Sequence, residues 1–343
     1  MNKNNNIPNI ILIFLSYLYG SIISLRNIFY DYKLLSKVSF NKPIISIGNI
    51  TVGGTGKTPL VIFLAQLIKK NNRNVGIISR GYGRKSKGVQ VVHNGKNLVS
   101  NVSISGDEPY LIGSILKNVP VIVSENRVIG IKYLLNNYKI DIIIMDDGFQ
   151  HRKVDNDLNI LLISSNDLKS YYHVLPRGKL RENLKGIQRA DCIIYTKTEN
   201  YQFPNIHSEI NKYYNKHFLL SIYKSILLKY ENTDFKEITP HVEPIFAFCG
   251  IAEPESFISS IKKLALNIIE YKFYKDHQIY TNLIINELIN NINRHKTNNI
   301  ITTEKDFVKL PKTFITKYNL YIIKVNIKLN NIEFLEKKIN KLY

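Results

Sequence analysis

An apolar strand that runs directly into a glycine-rich turn constrains this chain more than any other segment. Residues 43–59 read PIISIGNITVGGTGKTP. In a P-loop, glycines let backbone N–H groups point at phosphate oxygens, the lysine reaches the β- and γ-phosphates, and a hydroxyl contacts Mg²⁺. Apolar residues at helical spacing follow the turn, so the positive end of a helix dipole faces the phosphates. The segment predicts a nucleotide site formed by Thr51, Val52, Gly53, Gly54, Thr55, Gly56, Lys57 and Thr58.

Uninterrupted apolar runs after this turn predict the fold class. VGIIS, VPVIVS, IDIIIMD, LNILLIS and DCIIYT do not alternate with polar residues, as expected of strands covered on both faces. Helical or loop segments separate them, which indicates a P-loop NTPase-like α/β fold with a doubly wound, mostly parallel sheet. We expect an N-terminal membrane-associated helix, a P-loop domain, an extended linker and a smaller α/β domain, at residues 1–35, 36–215, 216–243 and 244–343.

The N-terminal segment is uncharged from Asn4 to Leu25. A signal peptide is disfavoured, because only Lys3 marks a basic region and no small-residue cleavage site follows. As a helix, the segment has an apolar face formed by Ile11, Leu15, Leu18, Ile22, Leu25 and Phe29, with small and polar residues opposite. This pattern favours a helix that lies on a membrane over a transmembrane span or a helix packed on the protein core.

Composition limits the partners without choosing one. The net charge is +20, from 47 basic and 27 acidic residues, so the chain can attract nucleic acid, an anionic membrane or a phosphorylated substrate. The lysines are scattered rather than gathered in one basic stripe, which argues against a nucleic-acid-binding ATPase. Two cysteines, Cys192 and Cys249, provide no disulfide framework and suit a reducing cytoplasm.

Acidic residues stand in two places where phosphoryl transfer would use them. Asp146 and Asp147 follow the strand IDIIIM, the position of a Walker B acid that holds Mg²⁺, although one of them could simply cap a turn. Asp107 and Glu108 lie in SGDEPYL, which we interpret as a loop. Such a pair commonly serves only turn formation, but it could supply a base for a substrate hydroxyl and a further metal contact.

Basic and polar residues cluster in several further segments. SRGYGR and LPRGKLREN carry side chains suited to bind a phosphate or a sugar phosphate, since arginine binds phosphate through two hydrogen bonds, although isolated arginines commonly serve only surface solvation. In DDGFQH, Gln150 and His151 directly follow the acidic pair, so we expect them in the same cleft. The substrate candidates are Arg80, Tyr82, Arg84, Arg127, Gln150, His151, Arg181 and Glu182. Thr196, Lys197 and Glu199 follow a strand in a pattern that weakly resembles the guanine-reading motif of GTPases.

Taken in order, the motifs resemble those of the tetraacyldisaccharide 4′-kinase family of lipid A biosynthesis. The motifs are ITVGGTGKTP, SRGYGR, SGDEPYL, DDGFQH, LPRGKLREN, FCGIAEPESF, KDHQIY and TTEKDFVKL. The resemblance implies transfer of the γ-phosphate of ATP, with Mg²⁺, to the 4′-hydroxyl of a lipid A disaccharide 1-phosphate, giving lipid IVA. It also implies a location on the cytoplasmic face of the bacterial inner membrane, as a peripheral or monotopic protein, with no nucleic-acid partner.

The resemblance also implies roles for individual residues. Asp107 would be the catalytic carboxylate and His277 its partner, and together they would take the proton of the 4′-hydroxyl. Lys57 would neutralise phosphate charge, while Thr58, Asp146 or Asp147, with Glu108 as a further contributor, would hold Mg²⁺. We expect Asp107 and His277 to lie in different domains, so that domain closure joins them.

Two features differ from the family pattern or from a common P-loop. Thr51 stands where most P-loops have their first glycine, but this family shares the threonine. LPRGKLREN stands where the family more commonly has LPAGPLREP. Arg177 and Lys179 therefore replace small or rigid residues, and Asn183 replaces a proline. The alternative function is a P-loop nucleotide switch or metal-delivery GTPase, which would need a clear guanine motif and clustered metal ligands.

Overall fold

The computed structural model describes residues 9–240 and 243–342. The first residues of the uncharged N-terminal stretch, 4–8, and two residues of the expected linker, 241 and 242, lie outside the described residues.

Most strands are short and buried, in agreement with their uninterrupted apolar sequences. In chain order the strands are β1 (Ile44–Asn49), β2 (Val75–Ser79), β3 (Gln90–Asn94), β4 (Pro120–Val123), β5 (Ile142–Asp146), β6 (Leu158–Ser164), β7 (Cys192–Thr196), β8 (Phe218–Glu231), β9 (Asp234–Glu237), β10 (Ile245–Cys249), β11 (Ile268–Phe273), β12 (Asn299–Thr303) and β13 (Asn319–Leu329).

Helices connect most of these strands. They are α1 (Asn9–Asp31), α2 (Lys57–Lys70), α3 (Val102–Ser105), α4 (Asp107–Ile115), α5 (Arg127–Asn137), α6 (His207–Asn211), α7 (Pro254–Lys263), α8 (Asn282–Arg294), α9 (Glu304–Phe307), α10 (Lys312–Ile315) and α11 (Ile332–Asn340), with 3₁₀ turns at Lys169–Tyr171 and Leu184–Arg189.

The described chain divides into two compact units, and both are discontinuous in sequence. The first unit contains the residues up to Arg80, Asn126–Ile222 and the residues from Lys328 onward. The second contains Gly81–Glu125 and Tyr223–Ile327. These units differ from the contiguous domains expected from the sequence, since the segment after β2 groups with the C-terminal half of the chain.

The first unit contains the predicted parallel sheet, in the order β8-β7-β6-β1-β5-β2, with β8 contributing its residues up to Ile222. β1 lies at its centre and pairs in parallel with β5 on one side and β6 on the other. Ile47 of β1 is in register with Asp146 of β5, so the P-loop and the acidic pair follow neighbouring strand ends. The edge at which ligands gather in doubly wound sheets is therefore the edge that carries both motifs.

The second unit has its own parallel sheet, in the order β11-β10-β12-β13. The second unit also contains two antiparallel pairs, β3 with β4 and the C-terminal part of β8 with β9. Aromatic and aliphatic side chains, including Phe246, Phe248 and Phe314, form a buried cluster against it. This smaller α/β sheet agrees with the prediction.

Two local predictions differ from the structure. The segment HFLLSIYKSILLKY is strand β8 rather than an extended linker, because it pairs in parallel with β7 and in antiparallel with β9. SGDEPYL is not a loop, since α4 begins at Asp107. Gly106 lies between α3 and α4, and its φ of 85° is a backbone conformation that favours glycine.

Helix α1 packs on the first unit through its small and polar face, whereas its apolar face is exposed. Ser16 Oγ donates to the Val174 carbonyl at 2.6 Å, and Asn27 Nδ2 donates to Glu182 Oε2 at 2.9 Å. Phe14 and Ile22 are 67% and 59% exposed. Over Ile10–Asp31, the helix is long and apolar enough to cross a membrane by length and composition.

Candidate active site

The turn after β1 has the backbone geometry of a phosphate cradle. Gly53 and Gly56 have φ of 124° and 83°, which only glycine adopts readily. Gly56 caps α2, whose first residue is Lys57. The N-terminus of a helix presents backbone N–H groups and a positive dipole end, so this turn is suited to bind an anion.

Three side chains fix the turn from outside. Thr196 Oγ1 at the end of β7 donates to the carbonyl oxygen of Thr55 at 2.9 Å. Lys197 Nζ donates to the carbonyl oxygen of Gly54 at 2.8 Å, and Asn49 Nδ2 donates to that of Thr51 at 2.6 Å. These three hydrogen bonds restrain the backbone of the loop.

The acidic pair after β5 divides into a buried and a more accessible carboxylate. Asp146 is 1% exposed and accepts a hydrogen bond from Ser79 Oγ at 2.8 Å. Asp147 has φ of 50° and lies 3.5 Å from Lys57 Nζ and 2.9 Å from an Arg181 nitrogen. Burial raises the pKa of Asp147, but the charges of Lys57 and Arg181 outweigh burial and lower it, so this carboxylate is ionised at neutral pH.

Oxygen donors suited to a magnesium ion lie at or after the ends of the neighbouring strands β1 and β5. The Thr58 hydroxyl and the carboxylates of Asp146 and Asp147 are hard donors of the kind that Mg²⁺ prefers. Among the residues that the structure describes, no group of three or more His, Cys, Asp or Glu could hold an ion by itself. This donor set fits Mg²⁺, which proteins commonly hold through one or two carboxylates together with nucleotide phosphates. Glu108 lies in the second unit, where it pairs with Lys305 at 3.4 Å.

Gln150 connects several predicted substrate residues of the first unit. Its amide nitrogen donates to Glu182 Oε1 at 3.1 Å and to the Asn49 carbonyl at 2.9 Å. Glu182 is fully buried and also accepts from Arg189 NH2 at 2.8 Å. Glu182 is therefore enclosed by protein donors, and its position suits orientation of the Arg181 loop.

Three further predicted substrate residues belong to the first unit: the neutral His151 and the positively charged Arg127 and Arg80. Burial, followed by the charge of Arg127, lowers the pKa of His151 to about 4, so its ring is neutral at physiological pH. Its buried Nε2 atom has no hydrogen-bond partner among the described residues. Arg127 is 2% exposed and donates to the Asp146 carbonyl at 3.4 Å, whereas Arg80 is exposed.

Asp107 and His277 are in direct contact within the second unit. His277 Nδ1 lies 2.8 Å from Asp107 Oδ2 and 3.0 Å from Oδ1. Asp107 opens α4, and its Oδ1 also accepts from the Glu108 amide at 2.9 Å. Both residues belong to one unit, so the expectation that they lie in different domains was wrong. Their contact needs no domain closure.

The electrostatic environment of this pair favours the ionised carboxylate of Asp107 and the protonated imidazole of His277. The hydrogen bond from His277 and the charge of Lys305 outweigh the burial that would raise the pKa of Asp107, and its pKa is lowered. The hydrogen bond to Asp107 raises the pKa of His277, against burial and the charge of Lys305. The side chain of Asp107 is 6% exposed and that of His277 is 29% exposed, so the imidazole is the accessible member.

Lys305 was not predicted as a site residue, yet it is central to this cluster. Its Nζ lies 3.3 Å from Asp276, 3.4 Å from Glu108 and 3.6 Å from Asp107. Burial lowers the pKa of Lys305, but these three carboxylates outweigh burial and raise it. The TTEKDF motif contains Lys305, but only the folded chain brings it to Asp107.

The SRGYGR segment contributes one accessible aromatic ring and one structural arginine. The Tyr82 ring is 68% exposed and its centroid lies 5.3 Å from that of His277. Arg84 has a side chain only 3% exposed, and it bonds Glu125 at 2.7 Å and the Gly88 carbonyl at 2.7 Å. Tyr82 is therefore placed to contact a ligand beside the pair, whereas Arg84 maintains the loop.

Comparisons with known proteins agree over nearly the whole chain. The model of the family described as LpxK, tetraacyldisaccharide-1-P 4′-kinase, matches residues 8–343. A tetraacyldisaccharide 4′-kinase of Desulfotalea psychrophila is 36% identical over 311 residues, which cover 90% of this chain and 89% of the relative. One of Aquifex aeolicus is 35% identical over 331 residues, or 96% of this chain and 97% of the relative.

A solved structure is similar as well. It is a crystal structure of LpxK from Aquifex aeolicus, described as an "apo" form in complex with ATP. Its sequence is 34% identical, the TM-score is 0.79, and the match covers 98% of this chain and 99% of that one.

Proposed function

Because this chain belongs to the tetraacyldisaccharide 4′-kinase family and is a kinase, we propose that it transfers the γ-phosphate of ATP to the 4′-hydroxyl of lipid A disaccharide 1-phosphate, giving lipid IVA. The observation that carries this proposal is the 2.8 Å contact between His277 and Asp107, in a chain that also has a preformed phosphate cradle. Proton removal and phosphate binding are the two tasks that a sugar kinase must perform.

The cradle supplies the charge and orientation for the donor nucleotide. The backbone N–H groups of Gly56 and Lys57 lie at the N-terminus of α2, the end of a helix that binds anions, and the Lys57 ammonium adds a positive charge. Fixed positive groups stabilise the charge that spreads over the transferred phosphoryl group. Thr58, Asp146 and Asp147 would hold Mg²⁺, which neutralises phosphate charge when bound.

The Asp107–His277 pair would remove the proton of the acceptor hydroxyl. Asp107 fixes the ring by accepting from Nδ1, which leaves Nε2 as the nitrogen that can take a proton when the ring is neutral. A sugar hydroxyl ionises far above neutral pH, so a base in contact with it lowers the barrier as the bond to phosphorus forms. Tyr82 lies beside the imidazole and would offer the sugar an amphipathic ring.

The exposed face of α1 supports a monotopic position on the cytoplasmic face of the inner membrane, where a lipid acceptor would be found. Contacts from Ser16 to Asp31 attach the helix along its length to the first unit, including the 2.6 Å ion pair between Asp31 and Arg152. A spanning orientation would carry the attached loops into hydrocarbon, where exposed polar backbone is costly. A helix lying in the interface keeps them in water.

Transfer of ³²P from ATP to purified lipid A disaccharide 1-phosphate, in detergent with Mg²⁺, tests the proposal directly. We expect labelled lipid from the wild type and a large loss in Asp107→Ala and Lys57→Ala. Glu237→Ala and Lys132→Ala, at exposed positions of the respective units, are matched controls that should retain activity. If protein that binds ATP yields no labelled lipid, the proposal fails and the nucleotide-switch alternative takes its place.

A further inference from the structure

A cavity of about 530 Å³ lies within the first unit, between α1 and residues 172–185. Its helix wall includes Ile13, Tyr17 and Ser21, and the opposite wall includes Arg177 and Lys185. None of the residues assigned above to ATP, Mg²⁺ or the acceptor lines this cavity. It is therefore a candidate for a separate ligand.

The charge of the cavity wall indicates an anionic ligand. Arg177 and Lys185 line the cavity, His173 lies beside them, and no aspartate or glutamate is among the lining residues. Among the residues that the structure describes, neither Arg177 nor Lys185 forms an ion pair with a carboxylate. Two cations without counter-ions at one cavity favour a phosphate, which arginine can bind through two hydrogen bonds.

Apolar side chains form another part of the wall, which also contains serines, and they lead to the exposed face of α1. Ile13, Val174 and Leu184 line the cavity together with the ring of Tyr17. Phe14 and Leu18, the next residues along the helix, are 67% and 51% exposed. A small phosphate ion alone would leave these apolar side chains in contact with water, whereas a lipid with a phosphate head group would cover them as well as the two cations.

We propose that this cavity binds one anionic phospholipid. Its phosphate would lie between Arg177 and Lys185, and the start of an acyl chain would pass along Ile13, Tyr17 and Leu184. Such a site would fix the depth and rotation of α1 at the membrane surface, because the helix itself forms one wall. The site and its vesicle-binding tests do not depend on which acceptor the kinase phosphorylates; only the KM measurement described last rests on the proposed function.

Flotation with vesicles tests the proposal on the full-length protein. Vesicles of phosphatidylcholine alone are compared with vesicles that also contain phosphatidylglycerol. We expect the wild type to prefer the anionic vesicles, and the Arg177→Glu/Lys185→Glu variant to lose at least about tenfold in that preference, since each juxtamembrane cation contributes to such binding. Lys132→Glu/Lys139→Glu has the same change in net charge at exposed positions outside the cavity, and it should lose much less.

A second variant tests the contribution of the cavity independently of surface charge. Ser21→Trp fills the space without changing charge, and it should reduce the preference for anionic vesicles as the charge-reversal variant does. Retained ATP binding in each variant verifies that the first unit is folded. An unchanged preference in Ser21→Trp, or equal losses in the two charge-reversal variants, would overturn the proposal.

Two further experiments distinguish a bound phospholipid from other phosphate-bearing ligands. Inorganic phosphate should not displace the protein from anionic vesicles at an ionic strength matched with chloride, and full displacement would indicate a free-phosphate site instead. In detergent without phospholipid, Arg177→Glu/Lys185→Glu should leave the KM for the lipid acceptor unchanged. A raised KM there would mean that the cavity belongs to the acceptor and not to an accessory lipid.

Discussion

His277 Nδ1 lies 2.8 Å from Asp107 Oδ2, although 170 positions separate the two residues in sequence. The contact raises the pKa of His277 above its ordinary value of 6.5. In the proposed reaction the ring must be neutral to accept a proton from the acceptor, so activity should rise as the pH increases through this raised pKa. We expect the acidic limb of the pH profile of kcat/KM to lie above pH 6.5.

Asp107→Asn tests this relationship, because asparagine keeps the shape of the side chain but cannot stabilise an imidazolium ion. The acidic limb should move to lower pH, and kcat should fall by about 10²–10⁴-fold, the usual contribution of a general base. Glu237→Gln, an exposed acid in β9, should change neither quantity. A lower rate with an unshifted limb would contradict the assignment of the limb to this pair.

Gly106→Ala should disturb the pair through the backbone. A Cβ at position 106 would lie 2.7 Å from the carbonyl oxygen of Tyr82, at a φ of 85° that already disfavours alanine. Because Gly106 directly precedes Asp107, the necessary shift would move the carboxylate from His277. We expect a loss of at least about tenfold in kcat, since small misplacements at a reacting centre are costly.

Gly83→Ala is the matched control for this substitution. Gly83 has a similar φ of 74°, but a Cβ there meets no atom within 4 Å. It should lower the melting temperature slightly and leave kcat nearly unchanged. Equal kinetic losses in the two variants would refute the role of the close approach at Gly106.

Lys197→Met should weaken nucleotide binding by loosening the P-loop. The Lys197 ammonium donates to the Gly54 carbonyl at 2.8 Å, and hydrogen bonds to charged groups contribute about 1.5–3 kcal/mol. We expect KM for ATP to rise by about tenfold or more, with a smaller change in kcat, and Lys197→Arg to restore part of the affinity. Titration calorimetry with ATP measures this effect. Lys212→Met, an exposed lysine of the same unit, should have wild-type affinity.

Glu182→Gln should destabilise the first unit. Glu182 is fully buried and lies 2.8 Å from the Arg189 guanidinium, so the amide would leave a largely enclosed cation without its counter-ion. Breaking a buried pair in this way costs about 3–5 kcal/mol. Thermal unfolding measures the loss, and Glu209→Gln, at a partly exposed acid whose partners Lys169 and Lys212 lie on the surface, should shift the transition much less. An unchanged melting temperature for Glu182→Gln would show that the pair adds little stability.

The sequence motifs predicted the family and the α/β fold correctly, because each motif is a short continuous segment of the chain. The P-loop and Asp146 each follow an apolar run, and parallel pairing of β1 with β5 places their ends side by side. Such a relationship needs only the strand pattern and the topology of a parallel sheet.

Other features depend on contacts that no local pattern records. Lys305 reaches Asp107 only after β12 and α9 have folded, and nothing in TTEKDF distinguishes it from a surface lysine. β8 was interpreted as a linker because its apolar and polar residues are mixed, yet its strand neighbours β7 and β9 fix its conformation. Arg84 was expected to bind substrate, but its guanidinium is already engaged by Glu125 and Gly88.

The hydrogen bond from Asn27 to Glu182 means that α1 is not a detachable module. Its donor belongs to a helix whose apolar face is exposed, and its acceptor also binds Gln150 and Arg189 beside the Arg181 loop. A truncation designed to make the enzyme soluble would therefore remove one of the donors that satisfy a buried carboxylate. A chimaera that exchanges the helix between relatives would need to carry position 27 with a compatible donor, so α1 and the remainder of the first unit must change together.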